Sequence, residues 1–292
     1  MCWRGRVWQM RDVKKSTNAI LISLDSNLKF QAIALVLNIL ETQPAGMRII
    51  VFYIYDNEID RLDFLELLDR TYKHFGFESQ RESLETLFLQ AKEVAELTSP
   101  FLIPAGSHIT NATFLRLYIS ELLPNDVEKA LYLDIDILIN TNLENLFCLN
   151  FSTPICAAIN VPDSLGRGEH LEGHNAPYFN SGVLLINMNS WRKMNLLEHF
   201  VKVGSQKEFP YVDQDILNIV FRNNWTRLGR EFNYLHLYGS GENDQSYSAF
   251  PAIIHFAGNK PWQETPLTQF VSRYRKNFNR IRPLHDSLRD FK

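Results

Sequence analysis

Short runs of consecutive apolar residues alternate along this chain with longer stretches in which apolar positions recur every three or four residues. Residues 19–24 (AILISL) and 48–55 (RIIVFYIY) are apolar almost throughout, the pattern of strands covered on both faces. Between and after them, residues 28–40 set Ile33, Val36, Leu37 and Leu40 on one helical face. Residues 61–75 do the same with Leu62, Leu65, Leu68, Tyr72 and Phe75. Residues 84–89 read as a third strand. Residues 99–110 form a loop rich in proline and glycine. A helix over 111–123 follows, with Phe114, Leu115, Tyr118 and Leu122 on one side, closed by Pro124. Further strands are predicted at 154–160, 183–186 and 252–256, and helices at 191–203 and 212–221. The stretch 161–178 is polar and broken by Pro162, Gly166, Gly168, Gly173 and Pro177, so it reads as a loop. Strands alternating with helices predict an α/β domain around a mixed, mainly parallel central sheet flanked by helices. Ligands of such sheets bind outside the carboxyl ends of the strands.

One stretch breaks the pattern. Residues 129–140 (KALYLDIDILIN) place Asp134 and Asp136 between two apolar runs. A buried carboxylate is costly unless it is paired or bound to a cation. On extended chain the two side chains point the same way, so they could share one hard divalent ion. The competing structural reading is a turn whose carboxylates cap backbone amides. A competing chemical reading is a phosphatase of the haloacid-dehalogenase type, but its Asp-x-Asp follows the first strand, whereas here the pair follows several.

Charge and composition narrow the partners. The chain has 292 residues, 45% hydrophobic and 22% charged, at net charge −3. That balance argues against a nucleic-acid partner. The three cysteines, Cys2, Cys148 and Cys156, have no metal-site spacing and suit free thiols in the cytoplasm. No apolar run reaches the roughly 18 residues of a membrane span. Residues 1–17 read as an N-terminal extension, basic and without the apolar centre of a signal peptide. Residues 265–292 hold seven basic and two acidic side chains, which leaves 23 basic and 31 acidic ones in residues 1–264. Interleaved with those basic residues are Phe270, Val271, Tyr274, Phe278, Ile281 and Leu284. Such a tail suits either peripheral contact with the cytoplasmic face of an anionic membrane or a terminal helix docked on the acidic body. Residues 18–264 then form the domain and 265–292 a basic C-terminal extension.

Four blocks carry a family resemblance: YLDIDILI at 132–139, YFNSGVLLIN at 178–187, DQDILN at 213–218 and IIHFAGNKPW at 253–262. In this order and rough spacing they resemble the family 8 glycosyltransferases, especially bacterial galactosyl- and glucosyltransferases that extend lipopolysaccharide. The resemblance spans about residues 19–262. It implies a GT-A-type nucleotide-binding fold and retaining transfer of galactose or glucose from UDP-galactose or UDP-glucose. It implies Mn²⁺ or Mg²⁺ held by Asp134, Asp136 and His255, with Ile135 also at the donor. Two carboxylates and an imidazole suit such an ion. By the same resemblance Gly258, Lys260 and His108 meet the diphosphate, and Ser23, Asp25 and Asn27 meet the nucleoside. Arg116, Asn180, Asp213 and Gln214 surround the donor sugar, with Asp213 and Gln214 the candidate catalytic residues. Gln214 would act as a nucleophile or as an electrostatic support for same-face attack. Asp215 reads equally as chemistry of a helix start. Family members often carry tyrosine where this chain has Leu28, which covers a base without stacking on it. The acceptor implied is a glycan, lipopolysaccharide oligosaccharide first. A self-glucosylating or protein-glycosylating transferase and a non-catalytic UDP-sugar-binding relative are the alternatives.

Overall fold

The computed structural model describes residues 16–105, 110–160, 171, 177–236 and 251–289. The chain opens with strand β1 (Asn18–Asp25), helix α1 (Lys29–Thr42), β2 (Arg48–Tyr55), α2 (Glu58–Phe75), β3 (Leu84–Gln90) and α3 (Ala91–Thr98). A 3₁₀ stretch, Asn111–Tyr118, runs into the short α4 (Ile119–Leu122). Then come β4 (Lys129–Leu133), β5 (Ile137–Ile139), α5 (Glu144–Phe147), β6 (Ile155–Asn160), β7 (Phe179–Asn180) and β8 (Val183–Asn187). Helices α6 (Met188–Lys193), α7 (Leu196–Gly204) and α8 (Val212–Phe221) precede β9 (Trp225–Arg227), β10 (Tyr234–Leu235), β11 (Ile253–His255) and the terminal α9 (Gln269–Arg289).

The main sheet runs β3-β2-β1-β4-β8-β6-β7, with β9 beside β6. The first four strands of that order are mutually parallel, and β8 runs antiparallel to β4 and β6. This is the mixed, mainly parallel sheet expected. Its strands alternate their side chains between two cores: Ala19 and Leu21 face one, Ile20, Ile22 and Leu24 the other. The chain reverses direction across the sheet at β1, with β2 on one side and β4 on the other, so a crevice opens at their carboxyl ends. Asp25 ends β1 and Asp134 follows β4 there.

Several details depart from the expectations. Helix α1 is buried continuously from Ala32 to Leu40 rather than on one face. The C-terminal helix lies on its outer side, with Phe278 edge-on to Phe30 at 4.6 Å and Arg280 paired to Glu41 at 2.7 Å. On α2 the buried stripe is Phe64, Leu67, Leu68, Thr71 and Tyr72, and Leu62 is 55% exposed. The single helix predicted at 191–203 is two, because Asn195 turns left-handed (φ 47°) between α6 and α7. Asparagine enters that conformation at little cost. Most of the predicted helix at 111–123 winds as 3₁₀. The predicted loop 161–178 lies outside the described residues except for Leu171, Pro177 and Tyr178.

Residues 269–289 form a docked helix. Phe270, Val271, Tyr274 and Ile281 are buried against the body. Arg275 donates to the carbonyls of Pro261 (2.9 Å), Gln263 (2.7 Å) and Thr265 (3.2 Å). Four of the six apolar side chains that membrane contact would have used are therefore inside the protein, and Phe278 and Leu284 are half-buried against it. No helix among the described residues is long and apolar enough to cross a membrane.

Candidate active site

The Asp-x-Asp stretch is a turn, not the extended segment expected. β4 belongs to the main sheet and β5 to a small second sheet, β10-β11-β5, so the chain bends between them at Asp134–Asp136. Both ends of the bend are tied down. Asp134 N donates to Gly182 O at 2.9 Å, and Phe256 N donates to Asp136 O at 2.9 Å. Antiparallel pairing of β5 with β11 sets Ile137 opposite His255. A residue more than a hundred positions downstream is thereby delivered beside the two carboxylates.

Each aspartate turns one oxygen to His255 Nε2 and gives the other to a cation. Asp134 Oδ2 lies 3.7 Å from Nε2 and Asp136 Oδ1 3.3 Å. Arg116 Nη2 donates to Asp134 Oδ1 at 2.7 Å, and Lys260 Nζ donates to Asp136 Oδ2. The three ligand atoms lie within 4.8 Å of one another, close enough to surround one ion. Among the described residues this is the group of that kind. The donor chemistry fits a divalent cation as well. His255 Nδ1 faces the carbonyl oxygen of Asn233 at 3.1 Å, which only accepts. Nδ1–H therefore answers that oxygen, which turns Nε2 to the aspartates as the ring nitrogen available to an ion. Burial alone would raise the Asp136 carboxyl, but His255 and Lys260 outweigh it and hold the group well below the usual range.

Arg116 is the brace of the neighbouring region. It is 5% exposed, and its Nη1 donates to Ser181 O at 2.8 Å while Nε lies 3.1 Å from Asp213 Oδ2. Its guanidinium lies 4.4 Å from the centroid of the Tyr132 ring. Burial raises Asp213, with Arg116 opposing that rise and the Asp134 charge adding to it. Asp213 also accepts from Thr113 Oγ1 at 3.0 Å and Ser181 Oγ at 3.2 Å. Gln214 Oε1 accepts from Asn180 Nδ2 at 3.0 Å and from Ser181 N at 3.1 Å. Asp215 is fully buried, takes the Tyr178 hydroxyl and accepts from Tyr211 N at 2.9 Å, so it fastens the start of α8.

At the nucleoside end, Asp25 is half-buried and accepts from Asn27 N at 3.0 Å, while Asn27 is exposed. The Ser23 hydroxyl meets the Tyr132 hydroxyl at 3.1 Å, beneath Arg116. The Ile135 side chain is packed into the core, leaving its backbone as the part that can face a ligand. Gly258 is exposed in the turn between His255 and Lys260. His108 lies outside the described residues.

The sequence profile of Glycosyl transferase family 8 matches residues 19–266. The chain belongs to this family. The family 8 chain is 30% identical to the glycosyltransferase GlyB of Streptococcus pneumoniae over 73% of its own length and 50% of GlyB's. It is 26% identical to a lipopolysaccharide 1,2-glucosyltransferase of Escherichia coli, over 91% of this chain and 79% of that one. The chain thus spans half of GlyB, and only 20% of the related GlyD. Its fold matches the crystal structure of the galactosyltransferase LgtC in complex with donor and acceptor sugar analogues. That match has a TM-score of 0.67 at 21% identity and covers 89% of this chain and 95% of the other. It also matches the apo structure of the bifunctional glycosyltransferase WbbM, with a TM-score of 0.70 at 20% identity, over 92% of this chain and 50% of WbbM. These structures share the GT-A fold.

Within this family 8 site, sequence reasoning missed Thr113, Ser181, Gly182 and Asn233. Ser181 and Gly182 stood inside a quoted block and were within reach. A methyl group on Gly182 would lie 2.2 Å from His255 Cε1, so only glycine fits. Thr113 and Asn233 had no motif around them. Their partners are distant in sequence, which no local pattern reveals.

Proposed function

We propose that this chain transfers a hexose from a UDP-sugar, galactose or glucose, to a glycan acceptor with retention of configuration, in a divalent-metal-dependent reaction. One observation carries the reading: Asp134, Asp136 and His255 converge between Arg116 and Lys260 at the carboxyl edge of the sheet. Mn²⁺ or Mg²⁺ held there would act as a Lewis acid on the departing diphosphate. Lys260, now on Asp136, is placed to pair with a phosphate instead, with exposed Gly258 allowing close backbone approach. His108 belongs with this group on sequence grounds. Ser23, Asp25 and Asn27 hold the nucleoside, with the Ile135 backbone beside it.

Arg116, Asn180, Asp213 and Gln214 take the donor sugar. Arg116 does so chiefly by fixing Asp134 and Asp213, since its nitrogens are already engaged. A carbonyl oxygen has two lone pairs, and both of Gln214's are taken by Asn180 and Ser181. Gln214 therefore serves as a fixed dipole supporting same-face attack rather than as a nucleophile. The name of the Escherichia coli relative favours lipopolysaccharide oligosaccharide as acceptor. Any membrane contact of residues 265–292 would rest mainly on basic side chains, with the exposed Leu267 beside them. The test is a donor screen read by product mass and anomeric NMR against a panel of oligosaccharide acceptors. The expected product carries one added α-linked hexose from UDP-galactose or UDP-glucose. No hexose addition from any nucleotide sugar would overturn the proposal.

A further inference from the structure

From His255 a line of hydrogen bonds runs away from the carboxylates, and every donor in it points the same way. His255 Nδ1 donates to Asn233 Oδ1 at 3.1 Å. Asn233 Nδ2 donates to Asn180 Oδ1 at 3.0 Å. Asn180 Nδ2 donates to Gln214 Oε1 at 3.0 Å, and Gln214 Nε2 to the Tyr178 oxygen at 3.0 Å. The Tyr178 hydroxyl donates to the Asp215 carboxylate, which ends the line because it only accepts. Two backbone groups enforce the same polarity: Gly182 N donates to Asn180 Oδ1 at 3.0 Å and Ser181 N to Gln214 Oε1 at 3.1 Å. Reversing one amide would set oxygen against oxygen and N–H against N–H. All of these side chains are buried, where each mispaired group costs about 1–3 kcal/mol.

The polarity has a consequence at its far end. Asn233 uses its NH₂ on Asn180, so it offers His255 only an acceptor. That keeps a proton on Nδ1 and leaves Nε2, facing Asp134 and Asp136, as the nitrogen that can ligate an ion. We propose that Asn233 is a positioning residue: it locks His255 in the ligating tautomer and, through Asn180, ties that lock to Gln214. Its first half stands on the histidine geometry. Its second half, that cation ligation and sugar holding are one coupled unit, rests on the transferase reading.

The experiment uses the full chain with ¹⁵N-labelled histidine and saturating Mg²⁺, a diamagnetic stand-in for Mn²⁺. Wild type should show His255 protonated at Nδ1. Asn233→Leu should lose that single tautomer, and its Mn²⁺ affinity by calorimetry should fall about 10- to 100-fold. Circular dichroism checks its fold, and Asn233→Ser, whose hydroxyl stops short of Nδ1, replaces it if it does not fold. Asn233→Asp restores the acceptor but has no N–H for Asn180. It should return the Nδ1–H tautomer and wild-type Mn²⁺ affinity while kcat stays at least about tenfold low. A retained tautomer and retained affinity in Asn233→Leu would overturn the lock. Wild-type kcat in Asn233→Asp would overturn the coupling. Tautomer and Mn²⁺ affinity are read without any sugar donor, so their failure leaves the transferase reading standing. Absence of turnover in wild type overturns that reading, and the coupling with it.

Discussion

A methyl group at Gly182 would sit 2.2 Å from His255 Cε1 and 2.7 Å from Asp134 Oδ2. Neither neighbour can retreat, because His255 is held by Asn233 and Asp134 by Arg116. Gly182→Ala should therefore fold but lose Mn²⁺ affinity by about 10- to 100-fold, read by calorimetry, and unchanged affinity would contradict the packing described. Arg116 is a second fixed point. Replacing it with methionine strands Asp134 and Asp213 beside each other, and removing one partner of a buried pair costs about 3–5 kcal/mol. Urea unfolding of Arg116→Met measures that loss. Asp136 adds a dependence on pH. Its carboxyl is depressed in the folded chain by His255 and Lys260, against the pull of burial. The stability it contributes is therefore complete above the ordinary aspartate pKa of about 3.9 and is lost as pH falls below it. Lys260→Met should flatten that acid limb of the metal-free protein's stability curve.

At the scale of elements, the strands were the most legible part of the sequence. Residues 48–55 are apolar almost throughout because β2 is covered by both cores, and β2 spans the predicted residues. α8 also begins and ends as its pattern predicted, although Val212 starts it at φ 36°, a strained value for a β-branched residue next to Asp213 and Gln214. What stayed hidden depends on contacts between distant segments. Leu62 fits a 3.6-residue stripe, yet the core lies one position round the helix, at Phe64 and Leu67. Asp134, Asp136, His255 and Lys260 were recognisable from their blocks, whereas Asn233 gains its meaning only from His255 and Asn180. The tail could have lain on a membrane or on the body, and Phe270, Val271, Tyr274 and Ile281 lie on the body. Each such side chain contributes about 1.5–3 kcal/mol by burial. Truncation after Glu264 should then lower the melting temperature sharply and raise dye binding to exposed apolar surface. Unchanged melting would mean that the helix is dispensable to the core.

Across the whole molecule, the two ends of the main sheet do different work. The carboxyl edge holds the candidate site. At the opposite edge Arg48, 1% exposed, binds Glu85 at 2.6 Å and Asp126 at 2.9 Å, clamping β2, β3 and the turn before β4. Arg48→Met removes the buried guanidinium that joins Glu85 to Asp126 and should cost about 3–5 kcal/mol, with the donor KM unchanged because the defect lies at the far edge. A shift in KM would show that the two edges are coupled. The chain matches the family over residues 19–266, so the central question is whether it turns over a UDP-sugar. The most direct measurement is release of UDP from UDP-galactose and UDP-glucose, with and without Mn²⁺, for wild type and Asp134→Asn. The account predicts metal-dependent release that vanishes in the variant. Tight UDP binding with no release from any donor would contradict it.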